Sequence, residues 1–335
     1  MKNIFFHLSS HKLSSKVGAS MSQGGQIIQY LKNFSQNFQL VKPSTVVGLS
    51  IGTSSIKIVE MKKNKNQWKL LNFGLVQLNE DAIVNREIVN QIAVVDALKT
   101  LVKQIKPKNK NVCSAISGTG VIVKRMSVEV PNIKDLQDQV FWEAEQYLPF
   151  DISQVVMDYQ LLSRSKDNEC SVLLVAAKSD SIQVLMSCIE EAGLRPQVID
   201  IDHFALQNTF EANYPTDPSE AVALVDIGAS SLKIVVVHDG VPVFTKDSAM
   251  GGNHLTAEIQ KHLNLSYEDA ETLKVGSRDS IPQEVNELMQ IAAENYASEI
   301  KRALDFYNAS MGGASVSYLL LTGGGSRLPD LSALI

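Results

Sequence analysis

The sequence has little cysteine, no long apolar run and no excess of positive charge, and each shortage excludes a class of protein. Its three cysteines, Cys113, Cys170 and Cys188, are odd in number, scattered and never spaced as CxxC. Neither a disulfide framework nor a zinc site follows from such a set, and buried thiols in a reducing cytosol are the expectation. Apolar runs such as Val172–Ala177 are strand-sized, far short of the ~20 residues that a membrane-spanning helix needs. Lysine and arginine number 31 against 36 aspartates and glutamates, a formal net charge of -5. That balance excludes a sheet of positive charge built to grip nucleic acid.

What is present is enough to fold. At 335 residues, 44% hydrophobic and 20% charged, the chain can bury a sizeable core and is twice the ~150-residue prior for one domain. A soluble, acidic, multi-domain protein is the expectation.

Residues 1–43 differ from the rest. They are rich in Ser, Gln, Asn and Lys, basic at the start, and carry one amphipathic stretch from Gln26 to Phe38. The apolar residues near the start are too few and too broken for the ~7–15-residue core of a secretory signal. A flexible polar extension is expected up to Pro43. Strand patterns then occupy Thr45–Ile51, Ser55–Met61 and Trp68–Leu78. A helix with Ile88, Ile92, Val95, Leu98, Val102 and Ile105 on one stripe stops at Pro107. Strands at Val112–Ser117 and around Met126, Val128 and Val130 follow, then a helix opened by Asn132 and ended by Pro149. Strand Val172–Ala177, helix Ser181–Ala192 and strand Gln197–Ile201 complete the first half. The alternation predicts an α/β architecture with more than one sheet.

One internal repeat rises above this background. Val47-Gly48-Leu49-Ser50-Ile51-Gly52-Thr53-Ser54-Ser55-Ile56-Lys57-Ile58-Val59 returns as Ala223-Leu224-Val225-Asp226-Ile227-Gly228-Ala229-Ser230-Ser231-Leu232-Lys233-Ile234-Val235. Each copy reads as an apolar strand, a small-residue turn and a second apolar strand. Such a hairpin tip lets backbone amides and hydroxyls approach a phosphate closely. Two tips on two halves of one chain can clamp a polyphosphate.

A third glycine-rich element follows the predicted strand Ser317–Thr322, as Gly323-Gly324-Gly325-Ser326. Consecutive glycines at a strand end suit close approach of a flat ring or ribose. Before it lies a long predicted helix, Gln283–Met311, with Val285, Leu288, Ala292, Tyr296, Ile300, Leu304 and Tyr307 as its stripe. Glu299 and Arg302 fall off that stripe and share a face, as a surface ion pair or a nucleoside clamp.

On these residues the chain resembles the actin/Hsp70/sugar-kinase ATPase superfamily. Ser50–Lys57 matches its first phosphate motif, Asp226–Ser231 the second and Leu321–Ser326 the adenosine motif. The resemblance is more specific to the FtsA-like branch, and within it to the PilM family of type IV pilus assembly proteins. It is carried by Glu143–Phe150, Asp158–Leu162, Val172–Ala177, Ala192–Pro196, Ile199–Asp202, Phe204–Leu206 and Leu304–Tyr307.

The resemblance implies a two-lobed α/β, actin-like (ribonuclease H-like) fold. Residues 44–119 and 197–219 would form the first domain, 120–196 an FtsA/PilM-type inserted subdomain, and 220–335 the second domain. ATP with Mg²⁺ would lie between the hairpins. By position, Gly52, Thr53, Ser54 and Lys57 would face the β- and γ-phosphates, and Gly228, Ala229 and Ser230 would form the opposing tip. Gly251 and Gly252 would approach from the second domain. Glu271, Lys274, Glu299 and Arg302 would surround ribose and adenine, with Gly323 and Gly324 under the adenosine. Asp226 would hold the metal's water shell, and Asp202 is a second carboxylate for it or a plain helix cap. Lys233 repeats Lys57, but only the first-motif lysine contacts phosphate in such relatives, so Lys233 is expected as a solvated strand lysine.

Two departures matter. The family's first motif begins with an aspartate where this chain has Ser50, and a neutral hydroxyl cannot supply the charge a hard cation wants. Nucleotide binding with slow or absent Mg²⁺-assisted hydrolysis is therefore expected. Family members also continue past the adenosine motif with a further helix and strand, so the second domain is expected to be short at its C-terminal end. The inserted subdomain implies a groove for the N-terminal peptide of a PilN-like inner-membrane protein, with Val128, Val130, Phe141 and Tyr147 as wall candidates and core packing as their plainer role. Through that partner the chain would be a cytoplasmic protein recruited to the inner membrane, linked indirectly to PilO and the pilus assembly ATPase. The alternatives are a slow ATPase or kinase of the same fold, or the cytoplasmic domain of a type II secretion GspL-like protein.

Overall fold

The computed structural model describes residues 6–7, 45–64, 67–276, 281–311 and 314–335. Apart from Phe6–His7, the expected N-terminal extension and its 26–38 stretch lie outside the described residues. The chain divides into two units, Met1–Ile201 and Asp202–Ile335.

Along the first unit run β1 (Phe6–His7), β2 (Thr45–Ile51), β3 (Ser55–Asn64), β4 (Gln67–Gln77), β5 (Ile83–Val84), β6 (Glu87–Ile88), α1 (Gln91–Ile105), β7 (Asn111–Ile116), β8 (Val121–Glu129), α2 (Leu136–Ala144), β9 (Val155–Arg164), β10 (Glu169–Lys178), α3 (Ser179–Glu191) and β11 (Arg195–Ile201). The main sheet has the order β1-β11-β7-β2-β3-β4. Strands β2, β3 and β4 form an antiparallel meander, and β7 and β11 run parallel to β2. Alternation along β2 and β3 turns Val47, Leu49, Ile56 and Ile58 inward and leaves Ser50 and Lys57 exposed.

Helix α1 starts where Asn90 Oδ1 accepts the Ala93 amide at 3.1 Å and stops at Lys106, left-handed at φ 47°, immediately before Pro107. Its buried face is Val94, Val95, Leu98 and Leu101. The predicted stripe is therefore rotated: Ile88 lies in β6 and Ile92 is 76% exposed. The phase is set by Gly74 on β4, where a Cβ would sit 2.5 Å from Ile105 and 2.9 Å from Leu101. Buried Glu60 on β3 accepts from Asn72 Nδ2 at 2.8 Å and from the amides of Lys108 and Asn109 at 3.1 and 3.3 Å. It ties the turn after α1 to the sheet.

The insertion folds as a three-stranded antiparallel sheet, β8-β10-β9, under α2. Its core joins Met126, Val128 and Val130 to Leu136, Val140 and Ala144 and to Cys170, Val172 and Leu174.

The second unit contains α4 (Asp202–Asn213), β12 (Ala221–Ile227), β13 (Leu232–His238), β14 (Val241–Ser248), α5 (Gly252–Leu263), α6 (Tyr267–Val275), α7 (Gln283–Met311), β15 (Val316–Thr322) and α8 (Leu331–Leu334). Its sheet has the order β14-β13-β12-β15, with β15 parallel to β12. Both faces are covered. Ala223, Val225, Ile227, Ile234 and Val236 pack on Ala293, Tyr296 and Ile300 of α7, and Val222, Leu224, Val235 and Val237 pack on Phe210 of α4. The helix assigned by sequence to the first domain thus packs on the sheet of the second unit. Along α7 the small residues Ala293, Ala297 and Ala303 are buried more deeply than Leu288, Ala292 and Leu304, which lets the helix approach the sheet closely. Glu299, read from the sequence as off the buried stripe, is only 6% exposed.

Candidate nucleotide-binding elements

The repeat returns in the hydrogen bonding of the turn and in the strand register. In the first hairpin the Gly52 amide donates to Ser55 O at 3.1 Å, and in the second the Gly228 amide donates to Ser231 O at 2.8 Å. Strand register pairs Ser50 with Lys57 and Asp226 with Lys233. The glycine amides therefore close the turns and are not phosphate donors, so any anion contact falls to the rest of each tip: Thr53 and Ser54, or Ala229 and Ser230. Lys57 is exposed and donates to Ser55 Oγ at 2.9 Å.

Gly251 and Gly252 lie against the second tip. The Gly252 amide donates to Gly228 O at 2.9 Å and the Asn253 amide to Ala229 O at 2.7 Å. A Cβ on Gly251 would stand 2.5 Å from Ala229 O, so glycine there is a packing requirement. Glu271 and Lys274, expected around the ribose, are bound to each other at 2.5 Å. Both also reach Thr256 Oγ1, at 2.7 and 2.8 Å, and Lys274 donates to Gly252 O at 3.2 Å. They fasten α6 to the start of α5. Thr256 was missed from the sequence because nothing in its local pattern signals it.

Gly323 has φ 82°, and a Cβ there would lie 2.4 Å from Ile227 O and 2.5 Å from Asp226 Oδ1. Its conformation and contacts both demand glycine. Gly324 has nothing within 4 Å of its Cβ position and leaves an open approach to the backbone. On α7, Glu299 accepts from Lys246 Nζ at 3.1 Å and is paired with Arg302. Burial pushes its carboxyl upward, but the hydrogen bonds and charges of Lys246 and Arg302 outweigh that and hold it below the usual carboxylate range. Of the two readings, the surface ion pair is wrong about burial: one partner is enclosed, while Arg302 is 68% exposed.

Lys233 corrects another expectation. It is not solvated: its side chain is 13% exposed, with Nζ 2.6 Å from Asp202 Oδ2 and 3.8 Å from Asp226 Oδ2. Asp202 opens α4 and spends a carboxylate oxygen on this ammonium. Asp247, opposite Lys233 in the β13–β14 register, has its carboxylate Oδ1 2.8 Å from His203 Nε2, positioned to accept that ring's N–H. These residues do not fit a divalent ion held directly by the protein. Ser50 is neutral, Asp202 and Asp226 share the Lys233 ammonium, and among the described residues no group of three or more His, Cys, Asp or Glu side chains is arranged to hold a metal.

In the insertion, Val128 and Val130 are 1% and 2% exposed and pack its core. Inward alternation on β8 is what holds α2, so these two present no surface to a peptide. Phe141 is partly buried, edge-on to Tyr159 with ring centroids 6.1 Å apart. Tyr147 is 44% exposed, with Lys124 Nζ 3.5 Å from its ring centroid. Trp142, which the sequence reading passed over, is 61% exposed. Among the described residues no helix is long and apolar enough to cross a membrane.

Comparison with known proteins matches this geometry to a family. The pattern of the family described as type IV pilus assembly protein PilM spans residues 48–335. Cell division protein FtsA of Enterococcus faecalis is 24% identical, over 73% of this chain and 60% of its own length. FtsA of Enterococcus hirae is 24% identical over 87% of this chain and 76% of its own. The chain thus spans well under the full length of these relatives. Among solved structures, a chain of a PilM–PilN type IV pilus biogenesis complex gives a TM-score of 0.77 at 25% identity, covering 86% of this chain and 84% of that one. Ethanolamine utilization protein EutJ from Carboxydothermus hydrogenoformans shares the fold, with a TM-score of 0.57 at 16% identity over 92% and 88%. The α/β actin-like fold class that the resemblance implies holds. The chain belongs to the PilM family of type IV pilus assembly proteins.

Proposed function

We propose that this chain is an ATP-binding scaffold of the type IV pilus inner-membrane platform, docking the N-terminal peptide of a PilN-like membrane protein. The observation that carries the reading is the likeness, over 86% of the chain, to a chain of a PilM–PilN complex. The nucleotide half rests on two hairpins with one turn geometry and on the open backbone at Gly324. In this reading the phosphate contacts are Thr53, Ser54 and Lys57 of the first hairpin, with Ala229 and Ser230 of the second as the matching tip. Mg²⁺ would arrive only as the nucleotide's own counter-ion. Hydrolysis is slow or absent in this reading, because Ser50 supplies no charge and Asp226 already has a cationic neighbour.

The peptide half rests on the exposed aromatics of the insertion. Tyr147 and Trp142 offer apolar surface with a cation alongside, a composition that suits an extended peptide bound by a few anchors. Docking of that partner would bring the chain to the membrane face. Calorimetric titration of the full chain with the N-terminal peptide of a PilN-like protein, with and without ATP, tests this. Binding in either state supports the scaffold, and absence of binding in both states overturns it.

A further inference from the structure

Lys233 stands in the middle strand of an acidic trio. In the antiparallel register it lies opposite Asp226 on β12 and Asp247 on β14, and Asp202 at the head of α4 takes its ammonium at 2.6 Å. Burial works against a charged lysine here. That cost is met by geometry: the ammonium has Asp202 Oδ2 at 2.6 Å and Asp226 Oδ2 at 3.8 Å, with its side chain only 13% exposed. The equivalent lysine of the first copy, Lys57, has a serine across the register and is exposed. The same repeat position thus carries an exposed lysine bonded only to a neighbouring hydroxyl in one unit and an enclosed, carboxylate-bound lysine in the other.

A small hard cation is ordinarily held by one or two carboxylates together with substrate phosphates. In the second unit the focus of those carboxylates is filled by Nζ. A divalent ion reaching Asp226 must expel the ammonium from its contact with Asp202 or sit beside its charge in a partly desolvated place, and both are unfavourable. We propose that Lys233 is a built-in counter-cation that takes the place of a protein-held divalent metal at the second phosphate hairpin, so that the nucleotide binds this chain without metal assistance. The proposal rests on the nucleotide-site reading above and deepens it: the ligand class is a nucleoside polyphosphate whose affinity does not depend on a divalent ion.

The test has one arm that needs no nucleotide. Mn²⁺ binding to the full chain is followed by loss of the free-ion electron paramagnetic resonance signal, for wild type, Lys233→Met, Lys233→Gln, Asp226→Asn and the double variant Lys233→Gln/Asp226→Asn. Lys233→Gln keeps a donor toward Asp202 and so preserves the fold should the methionine variant unfold, which thermal melting checks. The wild type is expected to show no Asp226-dependent Mn²⁺ site. Removing the ammonium's charge should raise Mn²⁺ affinity at least about tenfold, and Asp226→Asn should abolish that gain. Asp226-dependent binding of Mn²⁺ by the wild type, or no gain in either neutral variant, would overturn the proposal. In the second arm, ATP affinity of the wild type should agree within about twofold between Mg²⁺ and EDTA. A tenfold or larger loss in EDTA would also overturn it. Failure of ATP to bind in both conditions sinks the nucleotide reading instead, and the Mn²⁺ arm still decides the role of Lys233.

Discussion

Replacing Asp158 by asparagine removes a charge that the folded insertion holds at a cost. Asp158 lies on β9 opposite Val175 of β10. Burial pushes its carboxyl up to about 6, only partly countered by the Tyr159 amide, which donates to Oδ1 at 2.8 Å. An unfolded chain returns the group to ~3.9, and the difference is worth about 3 kcal/mol between the two protonation states. The folded value is the higher one. The group's contribution is therefore most favourable below about pH 4 and is lost as pH rises through about 6, with no further change above. Asparagine keeps the acceptor oxygen and cannot ionise. The variant should be more stable than wild type near pH 7, by up to about 3 kcal/mol, and indistinguishable from it near pH 4. Urea unfolding at a series of pH values, monitored on the transition that contains the insertion, reads both numbers. An Asp158→Asn variant that is less stable at neutral pH, or that keeps the wild-type pH slope between 4 and 6, refutes the reasoning.

Three further outcomes follow from the site. Gly251→Ala drives a Cβ to within 2.5 Å of Ala229 O; displacing the hairpin should cost about 1–3 kcal/mol, visible as a lower melting temperature together with weakened ATP binding. Ser50→Asp restores a carboxylate at the head of the first motif, and phosphate release should stay near background in wild type and rise in the variant; brisk turnover by wild type contradicts the assignment of Ser50. Tyr147→Ala and Trp142→Ala truncate exposed side chains, so each should weaken the PilN-type peptide by about tenfold in calorimetry while leaving the melting temperature unchanged.

Much of the fold was legible because periodicity reports burial. Strands Thr45–Ile51 and the helix Gln283–Met311 were bounded correctly from their alternation and stripe, and the two hairpins were found because the same small residues recur in the same order. What stayed hidden was tertiary. The phase of α1 is decided by Gly74 on a neighbouring strand, which no helical wheel contains. Val128 and Val130 look the same in sequence whether they line a groove or a core, and only the seating of α2 on β8 decides it. The environment of Lys233 depends on Asp202 and Asp247, one from the start of a helix and one near the end of a neighbouring strand. A lysine on a strand is solvated by default, and only cross-strand register shows that this one is not.

The two copies of the repeat share a turn geometry and differ in electrostatics, and on the nucleotide reading proposed above that difference divides their labour. Lys57 faces Ser50 across the register, is exposed, and leans on Ser55 Oγ at 2.9 Å. A neutral hydroxyl is a weak hold on an ammonium, so Lys57 can turn to an arriving phosphate at little cost. Lys233 is held at 2.6 Å by Asp202 with Asp226 at 3.8 Å, and leaving them would strip two partly buried carboxylates of their counter-charge. Lys57→Ala should therefore weaken ATP by about tenfold or more in calorimetry with almost no change in melting temperature. Lys233→Gln should lower the melting temperature, since it leaves Asp202, Asp226 and Asp247 without the charge that balances them. Equal ATP affinity in wild type and Lys57→Ala, or a melting temperature unaffected by Lys233→Gln, would show that the shared position does not separate a ligand-binding lysine from a structural one.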